Sequence, residues 1–265
     1  MKPDRIAHRI YFFVVIWFTL WVGFFGTFRP EEILRALPWP VPPLHARFIG
    51  AFYLSATVFL LLSLFSRTLL QVRTIVLMAF TWTGWLLLIT FMHWGTFDFS
   101  RPQPWFWVVA YVLFPIAAAW LAWAGPAIPR PAAGLVTETW VLAGLRLQGG
   151  LLAALAAACF FAPQWVTTIW PWKISPFLAQ VYSGPVVAYA VASLVLAARR
   201  NWPETLIPAI GTFVFAGLAL VASLRHLALF AAGSPSQIVW FAALATVAIF
   251  AACLVYRALQ AARAH

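Results

Sequence analysis

The stretch "HWGTFDFSRPQPWFW" (residues 93–107) closes one apolar run and opens the next, and 133 residues further on the chain reads "HLALFAAGSPSQIVW" (226–240). Both fit H-x3-F-x4-P-x4-W. Sliding the chain against itself by the same offset needs no gap. Phe28-x-Pro30 falls on Phe161-x-Pro163, and Pro38-Trp39-x3-Pro43 on Pro171-Trp172-x3-Pro176. Arg67 meets Arg200, Phe80 and Gly84 meet Phe213 and Gly217, and His93, Phe97, Pro102 and Trp107 meet His226, Phe230, Pro235 and Trp240. One such match means little in a biased composition. A skeleton of Pro, Trp, Gly, Arg and His in one register reads as an internal duplication.

The composition says where the two copies sit. Of 265 residues, 64% are hydrophobic and 9% charged, against about 25% charged in a water-soluble domain. Polar residues are too few to cover a surface facing water, so the chain reads as an integral membrane protein. The net charge of +11 comes from arginines flanking apolar runs, and no nucleic-acid partner is expected. The basic start "MKPDRIAHR" leads into a long aromatic run ending "FFGTFRP". That pattern suits an uncleaved first span better than a signal peptide. Cys159 and Cys253 lie inside apolar runs and read as packing residues.

Eight runs have spanning length: about 10–28, 47–66, 71–92, 105–124, 139–161, 177–198, 205–225 and 238–258. The expected fold is therefore all-α, a polytopic membrane protein of eight transmembrane helices. It divides into a first four-helix repeat (1–128) and a second (129–265), with the boundary near "AGPAIPRPAAG" (124–134). Four is even, so both units enter the membrane from one side. The repeat is parallel, with a pseudo-twofold axis along the membrane normal. Ten Lys and Arg residues fall on the side of the termini and six on the other, from Lys2 to Arg263. This predicts the bacterial cytoplasmic membrane with both termini cytoplasmic. Prolines within spans (Pro115, Pro185, Pro208) predict kinks.

Each first span is followed by F-x-P, an amphipathic stretch and P-W-x3-P. These predict short interfacial helices anchored by Trp39 and Trp172, with Trp107 and Trp240 as further anchors. His93 and His226 are the leading chemical candidates. If both face the axis, they suit axial ligation of a haem or a chlorophyll-type tetrapyrrole. The plainer reading is a histidine that hydrogen-bonds the turn between spans. Arg146, about eight residues into the fifth span, and Gln148 are the polar intramembrane candidates. Arg146 either snorkels toward the surface or shares a polar pocket with Gln148 and Gln180. Arg67 and Arg200 read as orienting charges, and Gly84 and Gly217 as packing positions. Glu31, Glu32 and Asp98 read as solvated loop charges, and His8 and His265 as terminal.

No Asp or Glu falls inside a predicted span, and neither Lys does. That argues against a carboxylate proton relay, two-carboxylate catalysis and a retinal Schiff base. No H-E-x-x-H, phosphate loop or G-x-S-x-G is present, no metal site is expected, and no enzyme is expected.

The segment carrying Trp39, Pro43 and Tyr53 resembles the Trp-rich sensory protein family over about 15 residues. That resemblance implies tetrapyrrole binding, but the family has five spans and another Trp pattern, so its site is not carried over. Through "PLHARFIGA" and "HW-x2-FDF" the chain is similar to a family of bacterial multi-pass membrane proteins, which implies no activity. The sequence thus predicts a non-catalytic accessory or scaffold subunit contacting the bilayer and other membrane subunits, or a binder of a hydrophobic ligand (tetrapyrrole, quinone or lipid). The alternative is a small-solute transporter, which requires Arg146 and Gln148 to face one wet cavity.

Overall fold

The computed structural model describes residues 3–66, 68–123 and 137–263, with side chains from residue 6 onward. Arg67, His265 and the expected boundary between the units lie outside the described residues. Among the described residues, eight helices are long and apolar enough to cross a membrane. They are α1 (Pro3–Phe28), α2 (Pro43–Leu64), α3 (Leu69–Met92), α4 (Pro102–Trp123), α5 (Thr139–Phe161), α7 (Pro176–Arg199), α8 (Trp202–Arg225) and α9 (Pro235–Arg263). A short α6 (Pro163–Ile169) lies between α5 and α7. No strand occurs among the described residues.

Several helices start earlier than the apolar runs suggest, and proline is the cause. Pro43, Pro102, Pro176 and Pro235 each occupy the first helical position, and Pro203 sits in the first turn of α8. There the missing N–H has no partner to lose and the fixed φ is already helical. The helices run on through Pro115, Pro185 and Pro208.

Packing joins the two halves along the middle. α1 lies on α2, α3 on α4, α5 on α7 and α8 on α9. Across the halves, α2 packs on α8, α7 on α3, and α3 on α8. The four central helices are therefore α2, α3, α7 and α8. In lipid the apolar surface gains little from leaving its solvent, so close contact supplies the cohesion. Aromatic rings supply much of it here. Phe52 of α2 stacks on Phe215 of α8 at 4.2 Å between centroids, beside Tyr189 of α7. Such pairs contribute about 0.5–1.5 kcal/mol each beyond the area they cover.

α1 and α2 cross where neither carries a side chain. A Cβ on Gly26 would lie 2.6 Å from the Ala46 carbonyl oxygen and 2.7 Å from the Gly50 Cα. A Cβ on Gly50 would lie 2.6 Å from the Thr27 backbone nitrogen. The mid-span glycines singled out by the duplication do less: Gly84 has its nearest neighbour at 3.8 Å and Gly217 faces open space.

The two P-W-x3-P segments differ in the helix before them. Residues Pro30–Arg35 form a short 3-10 helix, held by Glu32 between Arg29 and Arg35, whereas α6 is α-helical. Both begin at the proline of F-x-P. Both bury their apolar face, through Ile33 and Leu37 in the first and Val166 and Ile174 in the second.

Candidate functional site

His93 and His226 follow the last residues of α3 and α8, and each reaches a helix of the other half. His93 Nε2 lies 2.6 Å from Gln180 Oε1, on α7. His226 Nε2 lies 2.6 Å from Arg47 Nη1, on α2. The two bonds occupy equivalent places, since Arg47 and Gln180 are also 133 residues apart. Their directions are opposite. The Gln180 amide gives its nitrogen to the Phe160 carbonyl at 3.0 Å, so its oxygen accepts and His93 Nε2 donates. A guanidinium only donates, so His226 Nε2 accepts, and its proton sits on Nδ1.

Burial, then the charges of Arg47 and Arg225, push the His226 imidazole below its usual value. Protonating it would break the Arg47 bond and set cation against cation. The bridge's contribution to stability is therefore fully present above the ordinary histidine value of about 6.5. That contribution falls as pH drops from there toward the depressed value, because the unfolded chain binds the proton first, and the bridge itself opens only around the depressed value. His93 keeps its Nε2–H bond whether or not Nδ1 is protonated. Nitrogen-15 NMR of the imidazoles at neutral pH should find the Nδ1–H tautomer at His226, with Nε2–H retained at His93. The same tautomer at both positions would refute the assignment.

The four tryptophans expected at the interface pack inward instead. Trp39, Trp107 and Trp172 are buried and Trp240 is half-buried. Trp39 meets Trp107 edge to face at 4.9 Å, and Trp172 meets Trp240 in the same way at 4.8 Å. The Trp107 indole donates to Thr90 at 3.0 Å and the Trp240 indole to Ser223 at 2.9 Å. Each box is completed by the phenylalanine of the opening motif, Phe97 or Phe230. The tryptophans exposed near these turns are Trp94, Trp105 and Trp165.

Arg146 and Gln148 part company on α5. Arg146 lies on the exposed face. Gln148 turns inward and donates to Ser193 Oγ at 2.9 Å. His45 is buried in the first turn of α2. There it bonds the Tyr182 hydroxyl at 2.7 Å and the Lys173 carbonyl at 3.1 Å.

The first four helices enclose a cavity of about 40 Å³ lined by Phe18, Tyr53, Phe59, Met78, Trp82 and Phe114, with Ala56 and Ala79 as its smallest walls. Its polar groups are spent on one another: the Tyr53 and Tyr111 hydroxyls bond each other, Thr57 donates to Thr19, and Thr83 bonds the Ala79 carbonyl. A cavity that admits benzene measures about 150 Å³. This slot is far smaller, too small for a quinone ring or a macrocycle. A second cavity, of about 20 Å³, lies in the second half. Six of its lining residues stand 133 positions after residues lining the first: Gln148, Tyr189, Ala192, Ser193, Pro208 and Thr212, against Val15, Ala56, Phe59, Leu60, Ile75 and Ala79. The second cavity is more polar, is narrowed by Tyr189 at the place of Ala56, and has Phe250 seated on Gly144 as part of its wall.

One buried group escaped the sequence reading. With α8 starting at Trp202, Glu204 falls inside the helix, and it is 1% exposed. Its Oε2 accepts from Arg199 at 2.6 Å and from Thr74 of α3 at 2.9 Å, while Oε1 accepts from Asn201 at 3.1 Å. Asn201 caps the helix in return, accepting from the Glu204 backbone at 3.0 Å. The signal was present in "NWPE", a capping residue followed three places on by Glu. At the equivalent place in the first half, Ser66 donates to Gln71 at 2.6 Å. The same contact is neutral in one half and ionic in the other.

Fold and composition define the class, an integral membrane protein, with eight long apolar helices among the described residues. Comparison with known protein families, with curated proteins and with solved structures gives no match. Among the described residues no group of three or more metal-ligating side chains comes together.

Proposed function

We propose that this chain is a non-catalytic integral membrane protein built as two parallel four-helix units about a pseudo-twofold axis, and that its first unit holds an apolar chain of a lipid or isoprenoid. The apolar slot among α1–α4 carries the reading. Fourteen side chains line it, and its hydroxyls are already bonded, so only an apolar guest loses nothing on entering. The repeat is supported by contacts that recur at one offset: the two Trp boxes, the two histidine bridges, the two inner contacts at Gln71 and Glu204, and the two cavities.

A tetrapyrrole gains less support. The Nε2 atoms of His93 and His226 are both engaged, and an axial bond through either would have to displace Gln180 or Arg47. Transport gains none from Arg146 and Gln148, which face different surroundings. The charge distribution supports a bacterial cytoplasmic membrane with both termini inside. The exposed aromatic faces suit the bilayer and leave room for other membrane subunits.

Native mass spectrometry of the detergent-purified protein tests the reading. The parent should retain a lipid or isoprenoid through delipidation. Ala56→Tyr, which copies what the second unit carries at Tyr189, should lower that occupancy at least tenfold while leaving the protein folded. Equal retention by parent and variant would place the lipid elsewhere. A Soret band abolished by His93→Ala would replace the apolar chain with a tetrapyrrole.

A further inference from the structure

At the end of the bundle opposite the termini, positive charge gathers at one histidine bridge and not at the other. Arg47 donates to His226, and Arg225 is the next residue back along the chain, at the last turn of α8. Neither arginine forms an ion pair among the described residues. The buried Arg47 Nε has no acceptor at all. Nearby, the Trp170 and Trp172 indole nitrogens are also buried donors without an acceptor, and Trp172 is only 3% exposed. The Trp172 ring packs against Phe230 and Trp240 at steep angles. Glu31 acts on Arg47 only from a distance, being exposed and outside ion-pair contact. At the equivalent bridge, Gln180 and Met92 stand where Arg47 and Arg225 stand here. That bridge is neutral and its amide is fully used. Two cations and surplus donors with no matching carboxylate are the makings of an anion site.

We propose that Arg47, Arg225 and His226 form a binding site for an anionic head group, a phosphate or carboxylate, seated between the two halves at this end of the bundle. The fork of Arg47 supplies its free Nε and remaining N–H groups, and Arg225 closes the exposed side. His226 becomes a second donor when an anion offsets its neighbours. The site does not depend on the apolar slot in the first unit.

The test uses the full chain in nanodiscs of phosphatidylcholine, with and without phosphatidylglycerol, and in phosphatidylcholine with inorganic phosphate. The readouts are the thermal unfolding midpoint and the pH titration of His226 by NMR. Phosphatidylglycerol should raise the midpoint of the parent by several degrees and shift the His226 titration upward. Both effects should vanish in Arg47→Gln and in Arg225→Met, each of which copies the residue at the equivalent place in the other half. Arg225 is exposed, so Arg225→Met keeps the test valid even if Arg47→Gln unfolds. An equal response to inorganic phosphate identifies a soluble anion; a response to phosphatidylglycerol alone identifies a lipid head group. The proposal is overturned if neither anion affects the parent, or if the Arg225→Met protein responds as the parent does.

Discussion

Glu204→Ala should destabilise the protein by about 3–5 kcal/mol, the range found when one partner of a buried ion pair is removed. Three donors converge on this carboxylate: Arg199 and Asn201 from the turn between α7 and α8, and Thr74 from α3. Removing it strands all three and cuts the link from α8 to the first half at this end of the bundle. The cap of α8 itself survives, because Asn201 Oδ1 accepts from the backbone N–H of residue 204. The Arg199 side chain is 22% exposed and turns partly to water, which holds the loss within the stated range. Glu204→Gln keeps an acceptor for Thr74 and loses the charge, so its cost should be smaller, about 1–2 kcal/mol. Reversible unfolding in mixed micelles measures both. A Glu204→Ala variant within about 0.5 kcal/mol of the parent, the scatter of ordinary surface substitutions, would mean that the pair contributes nothing.

Gly50→Val should cost about 3 kcal/mol or more, the upper end for overpacking a close contact. A Cβ alone would stand 2.5 Å from Thr27 Oγ1, 2.6 Å from the Thr27 nitrogen and 2.8 Å from the Gly26 carbonyl carbon. Two of those atoms are backbone, so no rotamer change relieves the clash; α1 and α2 must move apart along their whole crossing. That movement widens the apolar slot, because Phe18 and Thr19 of α1 and Tyr53 and Ala56 of α2 form its walls. Gly84→Ala meets its nearest neighbour at 3.8 Å and should leave stability nearly unchanged. Similar unfolding midpoints for the two variants would show that the crossing is not tight.

Runs of about 20 apolar residues made the spans legible, because a helix of that length crosses hydrocarbon with its backbone bonds satisfied internally. Their ends were less so. Proline reads as a breaker, yet at the first helical position it begins a helix, and Glu204 was hidden behind Pro203 for that reason. The packing of the tryptophans was not legible either. An indole beside a loop suits the interface, and only the tertiary partners of Trp39 and Trp172 show which way it turns. His93 and His226 stood out through their repetition, and Gln180 was visible as the counterpart of Arg47. That each histidine bonds the opposite half was not legible, since pairing across 87 or 179 residues is a property of packing. Gly26 and Gly50 carried no mark at all. One sequence does not tell a glycine needed for close approach from one that merely sits in a helix.

The crossed bridges bear on how such a chain acquires asymmetry. On the proposed duplication, two identical four-helix chains would have met as a pair, with the same residue at both copies of position 47. An arginine there would have placed its charge at both bridges at once. In a fused chain each bridge would have its own codon. Here one bridge carries an amide at this position and the other a guanidinium. On that proposal one ancestral joint becomes two that can be adjusted independently.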